Sequence, residues 1–164
     1  MGNCAADYAI TNSRFENNTA TGIGSPGYGA AGGAIDILGS SGKGTITNCI
    51  FSGNDAPDGA GINVQNGDIT VDKCTYMENS GEYAAGLAGW NSKVVVTDSY
   101  FIDNAVTEEG AGIYIYGTST LELTGSVFDG NTAPVNRNIH SRANPSTIER
   151  NIFDINDTTI EVND

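Results

Sequence analysis

Basic residues are scarce in this sequence: 7 Lys and Arg residues face 20 Asp and Glu residues, for a formal net charge of −13. This balance argues against a nucleic-acid-binding protein, because phosphate recognition requires clustered cations. It also disfavours attachment to anionic membrane surfaces, which bind basic clusters. Cations and neutral glycans are the partners that suit the charge of this chain.

Metal-binding and disulfide-forming residues are equally few. The only histidine is His140, which should point outward, and the three cysteines, Cys4, Cys49 and Cys74, show no Cys-x-x-Cys spacing. The sequence therefore predicts neither a zinc site nor a disulfide scaffold. No stretch approaches the roughly 18 apolar residues of a membrane helix, and residues 1–10 lack the features of a signal peptide. We expect no metal, no cofactor and no membrane insertion by this segment.

What the sequence has instead is a repeat built on aromatic residues. Six aromatic anchors are separated by 36, 25, 25, 27 and 25 residues, and each is followed three positions later by Asn. The anchors are Phe15, Phe51, Tyr76, Phe101, Phe128 and Phe153. The asparagines are Asn18, Asn54, Asn79, Asn104, Asn131 and Asn156. A repeat of about 25 residues indicates stacked supersecondary units.

The units are extended rather than helical. Segments such as TITNCIF and VVVTDSYF are rich in Val, Ile and Thr, and Gly, Asn and Asp recur every few residues, which a helix would not tolerate. A unit of about 25 residues is too short for a barrel but matches one coil of a β-helix. The sequence therefore predicts an all-β fold, a right-handed, single-stranded parallel β-helix (a solenoid) of about six coils, as a single domain over residues 1–164.

Two columns of the repeat predict contacts between coils. The Asn column is expected to occupy the left-handed region at a turn and to donate side-chain hydrogen bonds to the next coil, forming a ladder. Cys49 and Cys74 share a column of small residues two positions before the anchor, inside the bore. They can be free stacked thiols or a disulfide, and the parallel spacing favours the free thiols.

The repeats resemble those of the polymorphic outer-membrane proteins and related adhesin-like surface proteins, whose parallel β-helix pairs Phe-x-x-Asn with Gly-Gly-Ala-Ile. The matching segments are FENN, FSGN, FIDN, FDGN and FDIN, together with GGAI at 32–35 and the shuffled GAGI. The resemblance covers nearly the whole chain. It implies a fragment of a longer solenoid that is extracellular or at the cell surface, associated with the outer membrane in the full-length protein. Such repeats serve adhesins and carbohydrate-active enzymes alike.

Outward-pointing aromatic residues form the most informative candidate site. Alternation along the strand after the Gly corner predicts that Tyr114 and Tyr116 point outward, and Trp90 takes the position of Tyr116 one coil earlier. Such aromatic groups, beside amide and guanidinium groups, suit a sugar or a protein surface. The alternative is that they pack against the strand face or under a loop. The candidate binding residues are Trp90, Tyr116, Tyr114, Gln65 and Arg142.

Neither the acidic residues nor the threonines indicate a sharper function. The densest acidic stretch places its carboxylates on different corners of the coil, so we expect no catalytic pair in it. A Thr array on another face is of the kind found on ice-binding solenoids, but charged residues interrupt it. The acidic residues are Asp98, Asp103, Glu108 and Glu109, and the interruptions are Asp72, Glu122 and Glu149.

The preferred interpretation is an adhesin-like segment of an extracellular or cell-surface protein, without enzymatic activity. It would present a binding or structural surface to a glycan or to a host- or cell-surface protein. One alternative is part of a β-helical carbohydrate-active enzyme, a polysaccharide lyase or glycoside hydrolase, with its catalytic coils elsewhere. The other is an ice-binding or structural spacer solenoid. The terminal coils show no evident caps, so end-to-end self-association is also expected.

Overall fold

The computed structural model describes residues 7–21, 32–39, 42–142, 146–153 and 161–162, and every helix or strand in these ranges is a β-strand. The strands are β1 (Tyr8–Thr11), β2 (Arg14–Glu16), β3 (Ile35–Leu38), β4 (Lys43–Thr47), β5 (Ile50–Ser52), β6 (Asp55–Asp58), β7 (Ile62–Gln65), β8 (Asp68–Asp72), β9 (Thr75–Met77), β10 (Ser80–Tyr83), β11 (Leu87–Trp90), β12 (Lys93–Thr97), β13 (Tyr100–Ile102), β14 (Ala105–Glu109), β15 (Ile113–Tyr116), β16 (Thr120–Thr124), β17 (Val127–Asp129), β18 (Ile139–Ser141), β19 (Ser146–Glu149), β20 (Ile152–Phe153) and β21 (Glu161–Val162).

The strands form four parallel sheets, and each coil passes through the sheets in turn. Sheet A contains β1, β4, β8, β12, β16 and β19; sheet B contains β2, β5, β9, β13, β17 and β20; sheet C contains β6, β10 and β14; sheet D contains β3, β7, β11, β15, β18 and β21. Equivalent positions of successive coils pair with each other, as Val71 does with Val96 and Tyr76 with Phe101. The six strands of sheets A and B amount to about five full turns. The predicted all-β parallel solenoid is therefore confirmed.

Residues in the left-handed region turn the corners between sheets. Their φ angles run from 46° to 73°, and within the described ranges all of them fall into four columns, one for each corner. The columns are Asn12, Asn48, Lys73, Asp98, Gly125 and Arg150 between sheets A and B; Asn17, Gly53, Glu78, Asp103 and Gly130 between B and C; Gly32, Gly59, Ala84, Gly110 and Asn136 between C and D; and Gly39, Asn66, Asn91 and Gly117 between D and A. Glycine and asparagine dominate because they adopt this region at the least steric cost.

The Asn ladder is present, but its backbone conformation was wrongly predicted. Asn18 Nδ2 donates to Asn54 Oδ1 at 2.8 Å, and the same bond continues to Asn79, Asn104 and Asn131 at 2.9–3.0 Å. Each ladder residue directly follows a left-handed residue and does not itself have a positive φ. The preceding residue turns the corner and faces solvent, which leaves the amide free to point into the stack. Asn156 lies outside the described residues.

The ladder satisfies the buried amides almost completely. Asn54 Nδ2 also donates to the carbonyl oxygen of Phe15 at 3.0 Å, and Asn79 Nδ2 donates to that of Phe51 at 3.0 Å. In addition, the backbone N–H of Asn54 donates to Asn79 Oδ1 at 2.9 Å. A buried polar group costs free energy unless it is paired, so this column can lie inside the coil only because its copies hydrogen-bond to one another.

Columns of chemically similar side chains fill the bore. The six aromatic anchors form a continuous stack with ring centroids 4.7–5.2 Å apart. Cys49 and Cys74 are buried beside this stack as free thiols, in agreement with the favoured prediction. Burial raises the pKa of the Cys74 thiol to about 12, and its Sγ donates weakly to the Ile46 carbonyl oxygen at 3.4 Å.

Phe101 is the fourth of the six stacked rings, with Tyr76 and Phe128 each 4.7 Å away, and it is completely buried. We expect Phe101→Ala to destabilise the chain by about 3–5 kcal/mol, because the rigid coils on either side cannot collapse into the cavity. Chemical denaturation of the two proteins checks this value. A loss below about 1 kcal/mol would place the ring outside the bore.

Tyr76 should be a site of stabilising substitution. Its hydroxyl is buried and has no hydrogen-bond partner within the described part of the chain. We expect Tyr76→Phe to raise the free energy of unfolding by about 1 kcal/mol, because it removes an unpaired polar atom and keeps the stacked ring. The matched control is Phe101→Tyr, which adds the same atom one coil higher and should lower stability. Equal stability of all three proteins would contradict the prediction.

Candidate binding site

Trp90 and Tyr116 lie side by side on the outer face of sheet D, as the sequence predicts. Trp90 pairs in register with Gln65 on one side and with Tyr116 on the other. The two rings stack with centroids 6.2 Å apart and an interplanar angle of 16°. Arg142 follows β18 on the next coil, where its backbone N–H donates to the carbonyl oxygen of Ile115 at 2.8 Å. Gln65, Trp90, Tyr116 and Arg142 therefore lie on successive coils.

The expected exposure of the tyrosines is wrong. Tyr114 is only 3% exposed and Tyr116 only 8% exposed, whereas Trp90 is half-buried and Arg142 is exposed. The reason is packing outside the bore, where Tyr114 lies 5.1 Å from Tyr116 and 5.5 Å from Tyr83, measured between ring centroids. Burial raises the pKa of Tyr114 to about 12, and the positive charge of Arg142 opposes that shift. These aromatic residues thus form a second, smaller hydrophobic cluster.

The corner between sheets C and D explains why this outer face is covered. A Cβ atom built on Gly110, whose φ is +66°, would lie only 3.1 Å from both His140 Cβ and Tyr114 Cδ2. The left-handed residues of this corner therefore bring the ends of the sheet C strands against the outer side of sheet D. Tyr83 and Glu109, which pair in register at the ends of β10 and β14, reach the tyrosine cluster by this route.

His140 joins the cluster to a set of charged groups. Its Nδ1 is 2.8 Å from Glu109 Oε2, and its Nε2 accepts a hydrogen bond from Arg142 Nε at 3.0 Å. His140 Nδ1 is also 2.8 Å from Asn136 Nδ2, so the imidazole is in contact with an amide, a carboxylate and a guanidinium group. The ring stacks on Tyr114 at 4.8 Å. His140 lies on the outer face as predicted, but it is only 3% exposed. Arg142 is thereby held in place beside the aromatic residues.

This corner also contains Asn63, Asp58 and Tyr83, which were not singled out from the sequence. Asn63 is fully buried and its Nδ2 donates to Asp36 Oδ1 at 2.7 Å. Asp58 is 3% exposed and pairs in register with Tyr83. The signal for Asp58, Tyr83 and Glu109 was their shared position, directly before a left-handed residue in each repeat.

The predicted acidic residues and the Thr array lie on other parts of the surface. Asp98, Asp103 and Glu108 are exposed, and of the four predicted acidic residues only Glu109 reaches the cluster. The Thr array on sheet A is interrupted: the column of Thr70 continues with Val95 and Glu122, and Glu122 pairs with Lys93 at 2.9 Å. Among the described residues, no group of three or more His, Cys, Asp or Glu side chains is placed to hold a metal ion.

The burial of Tyr116 makes a prediction about stability. We expect Tyr116→Ala to lower the free energy of unfolding by about 2–3 kcal/mol, because a buried ring is lost. Tyr100→Ala is the matched control, since Tyr100 is 49% exposed on sheet B, and its change should stay below about 1 kcal/mol. Equal denaturation midpoints for the two variants would show that the Tyr116 ring is not packed.

Comparison with known proteins agrees with this architecture. The model of a family described as a right-handed beta helix region matches residues 2–153. Comparisons with curated proteins and with solved structures gave no match. Within the described ranges, no helix is long and apolar enough to cross a membrane. With the family match extending over most of its length, the chain belongs to the right-handed β-helix family.

Proposed function

We propose that this chain is an adhesin-like segment of an extracellular or cell-surface protein, and that it binds a neutral glycan around Trp90. The observation that supports the proposal most directly is the position of the Trp90 ring. It is half-buried, rests against Tyr116 at 6.2 Å, and has the half-buried Gln65 on its other side. This arrangement leaves part of the Trp90 side chain exposed on a rigid support.

The chemistry around Trp90 suits a sugar. An aromatic ring can stack against the apolar face of a pyranose, and neighbouring amide and guanidinium groups can hydrogen-bond its hydroxyls. Gln65 supplies an amide on the coil before Trp90, and Arg142 supplies a guanidinium group two coils after it. The net charge of −13 disfavours acidic polysaccharides, so a neutral glycan is the better ligand class. A site on a host- or cell-surface protein is the alternative that the test below separates.

The extracellular location is part of the same proposal. It rests on the low Lys content, the acidity and the resemblance of the Phe-x-x-Asn repeats to those of adhesin-like surface proteins. The rod-like stacking of coils suits this role, because it holds a binding surface rigidly along a repeating scaffold.

Binding should depend on Trp90 without a matching loss of stability. The test measures binding of the native chain to soluble dextran, xylan, mannan and β-glucan by affinity electrophoresis, and to cell-surface proteins by a plate assay. Trp90→Ala and Arg142→Gln should each weaken glycan binding about tenfold or more, because stacking and orienting contacts are lost. Tyr100→Ala removes an exposed aromatic ring from another sheet and should leave binding unchanged.

Thermal melts of the same variants separate binding from folding. If Trp90→Ala binds the glycan as tightly as the native chain does, the surface around Trp90 is not the binding site. Binding in the plate assay alone would favour a protein partner. If Trp90→Ala lowers the melting temperature as much as Tyr116→Ala does, the role of Trp90 is structural.

A carbohydrate-active enzyme is the second candidate, and one observation favours it. Asp58 and Glu109 occupy one column on either side of Tyr83. Two coil spacings put their backbones about 10 Å apart. Inverting glycosidases hold their two carboxyl groups about 6.5–9.5 Å apart, so the side chains have the reach for such a pair. Release of reducing ends from the same polysaccharides, lost in both Asp58→Asn and Glu109→Gln, would select this candidate over simple binding.

A further inference from the structure

A groove separate from the Trp90 site crosses the outer face of sheet C. Its volume is about 640 Å³, and most of its lining consists of small side chains on three successive strands. These include Pro57 on β6, Ser80 and Gly81 on β10, and Ala105 and Thr107 on β14. The lining begins one coil earlier, at Ala20 and Thr21. Because no bulky side chain fills the groove, a ligand can approach the strands closely.

The groove is acidic on every strand that forms it. Asp55 and Glu82 are exposed and line it directly, and Glu108 is exposed next to Thr107. Glu78 and Asp103, also exposed, lie at the corner where the chain enters sheet C. None of the 7 Lys and Arg residues falls on β6, β10 or β14. By contrast, sheet A carries both Lys43 and Lys93 beside its acidic residues. The negative potential is therefore concentrated on sheet C.

We propose that this groove binds an extended, lysine- or arginine-rich segment of a partner protein. Charge complementarity identifies the partner, because interfaces match a patch of one sign with the other. The shape agrees with an extended chain: the lining passes over four coils, which is about 14 Å at one strand spacing per coil. About four residues of an extended peptide cover that distance.

One carboxylate of the groove is already restrained for such a contact. Ser80 Oγ donates to Asp55 Oδ1 at 2.5 Å across the neighbouring strands. A charged group that is held before binding loses less entropy on association, so Asp55 is a suitable anchor for a cation. A second copy of this chain is a poor occupant, because a chain of net charge −13 repels an acidic groove.

The test uses two synthetic peptides of eight residues on the intact chain. One has Lys at alternate positions with Ser between, so that an extended backbone presents its charges on one side. The other has Glu in place of Lys. Fluorescence anisotropy of the labelled peptides measures Kd at low and at physiological ionic strength. The Lys peptide should bind, with affinity falling as salt rises, and the Glu peptide should not.

Matched variants decide whether the groove is responsible. Asp55→Asn combined with Glu82→Gln should weaken binding of the Lys peptide about tenfold. Asp68→Asn combined with Asp129→Asn removes the same charge from exposed positions on sheets A and B, and should change Kd less than about twofold. Ala105→Tyr, which fills the groove at an exposed position without changing charge, should also weaken binding. Circular dichroism and thermal melts confirm that each variant is folded.

Three results would overturn the proposal. The first is absence of Lys-peptide binding at low ionic strength. The second is an equal loss in the two charge variants, which would mean that net charge alone attracts the peptide. The third is displacement of the peptide by about 1 mM Ca²⁺ but not by Mg²⁺ at constant ionic strength, which would reveal a cation site instead. None of these results bears on glycan binding at Trp90, so the two proposals are tested independently.

Discussion

The constraint on which this structure depends is that every coil must be completed by its neighbours. Strands that are one repeat apart in the sequence pair in parallel, which brings equivalent positions to within one strand spacing. Each buried group therefore meets the equivalent group of the next coil. Rings then stack on rings at 4.7–5.2 Å, and amides donate to amides at 2.8–3.0 Å. The buried Tyr76 hydroxyl is an exception, because the phenylalanine rings on either side offer it no hydrogen bond. Asn can bond to its own kind because one amide carries both a donor and an acceptor.

This constraint explains how much could be predicted from the sequence. The aromatic stack and the ladder are repeated in almost every coil, so their period of about 25 residues is evident in the order of the amino acids alone. The register of Trp90 with Tyr116 followed from the same period. Even so, the left-handed residue was placed one position too late, because both Asn17 and Asn18 fit a turn by type and only the backbone distinguishes them.

The burial of the outer cluster could not be predicted in the same way. Alternation along β15 correctly places Tyr114 and Tyr116 outside the bore, but it contains no information about what lies over them. The covering contacts come from Tyr83, Glu109 and a tight corner, and these residues are not repeated from coil to coil. Polar groups such as Asp58 were missed for this reason. Contacts between unlike columns depend on the angle of the corner, which the repeat does not encode.

The outward residues of this solenoid thus differ from coil to coil, whereas the inward residues are similar and maintain its shape. In sheet D the successive outward positions Asn63, Ala88, Tyr114 and His140 differ in size and polarity, although the inward residues beside them remain aliphatic. Function on such a scaffold can change by single outward substitutions, because these side chains are not required to match their copies. The mixed aromatic and charged corner is where this chain departs furthest from a uniform repeat.

The direction of the amide ladder has a consequence for how such rods can be extended. Every Asn–Asn bond of the ladder runs from a donor on the lower-numbered coil to an acceptor on the higher-numbered coil, from Asn18 through to Asn131. The ladder therefore has a direction, with a donor end and an acceptor end. An additional coil or a second rod can continue it only when its acceptor oxygens meet the donor side. Joining two rods through like ends would set donor against donor at one end or acceptor against acceptor at the other, so the ladder continues only between unlike ends.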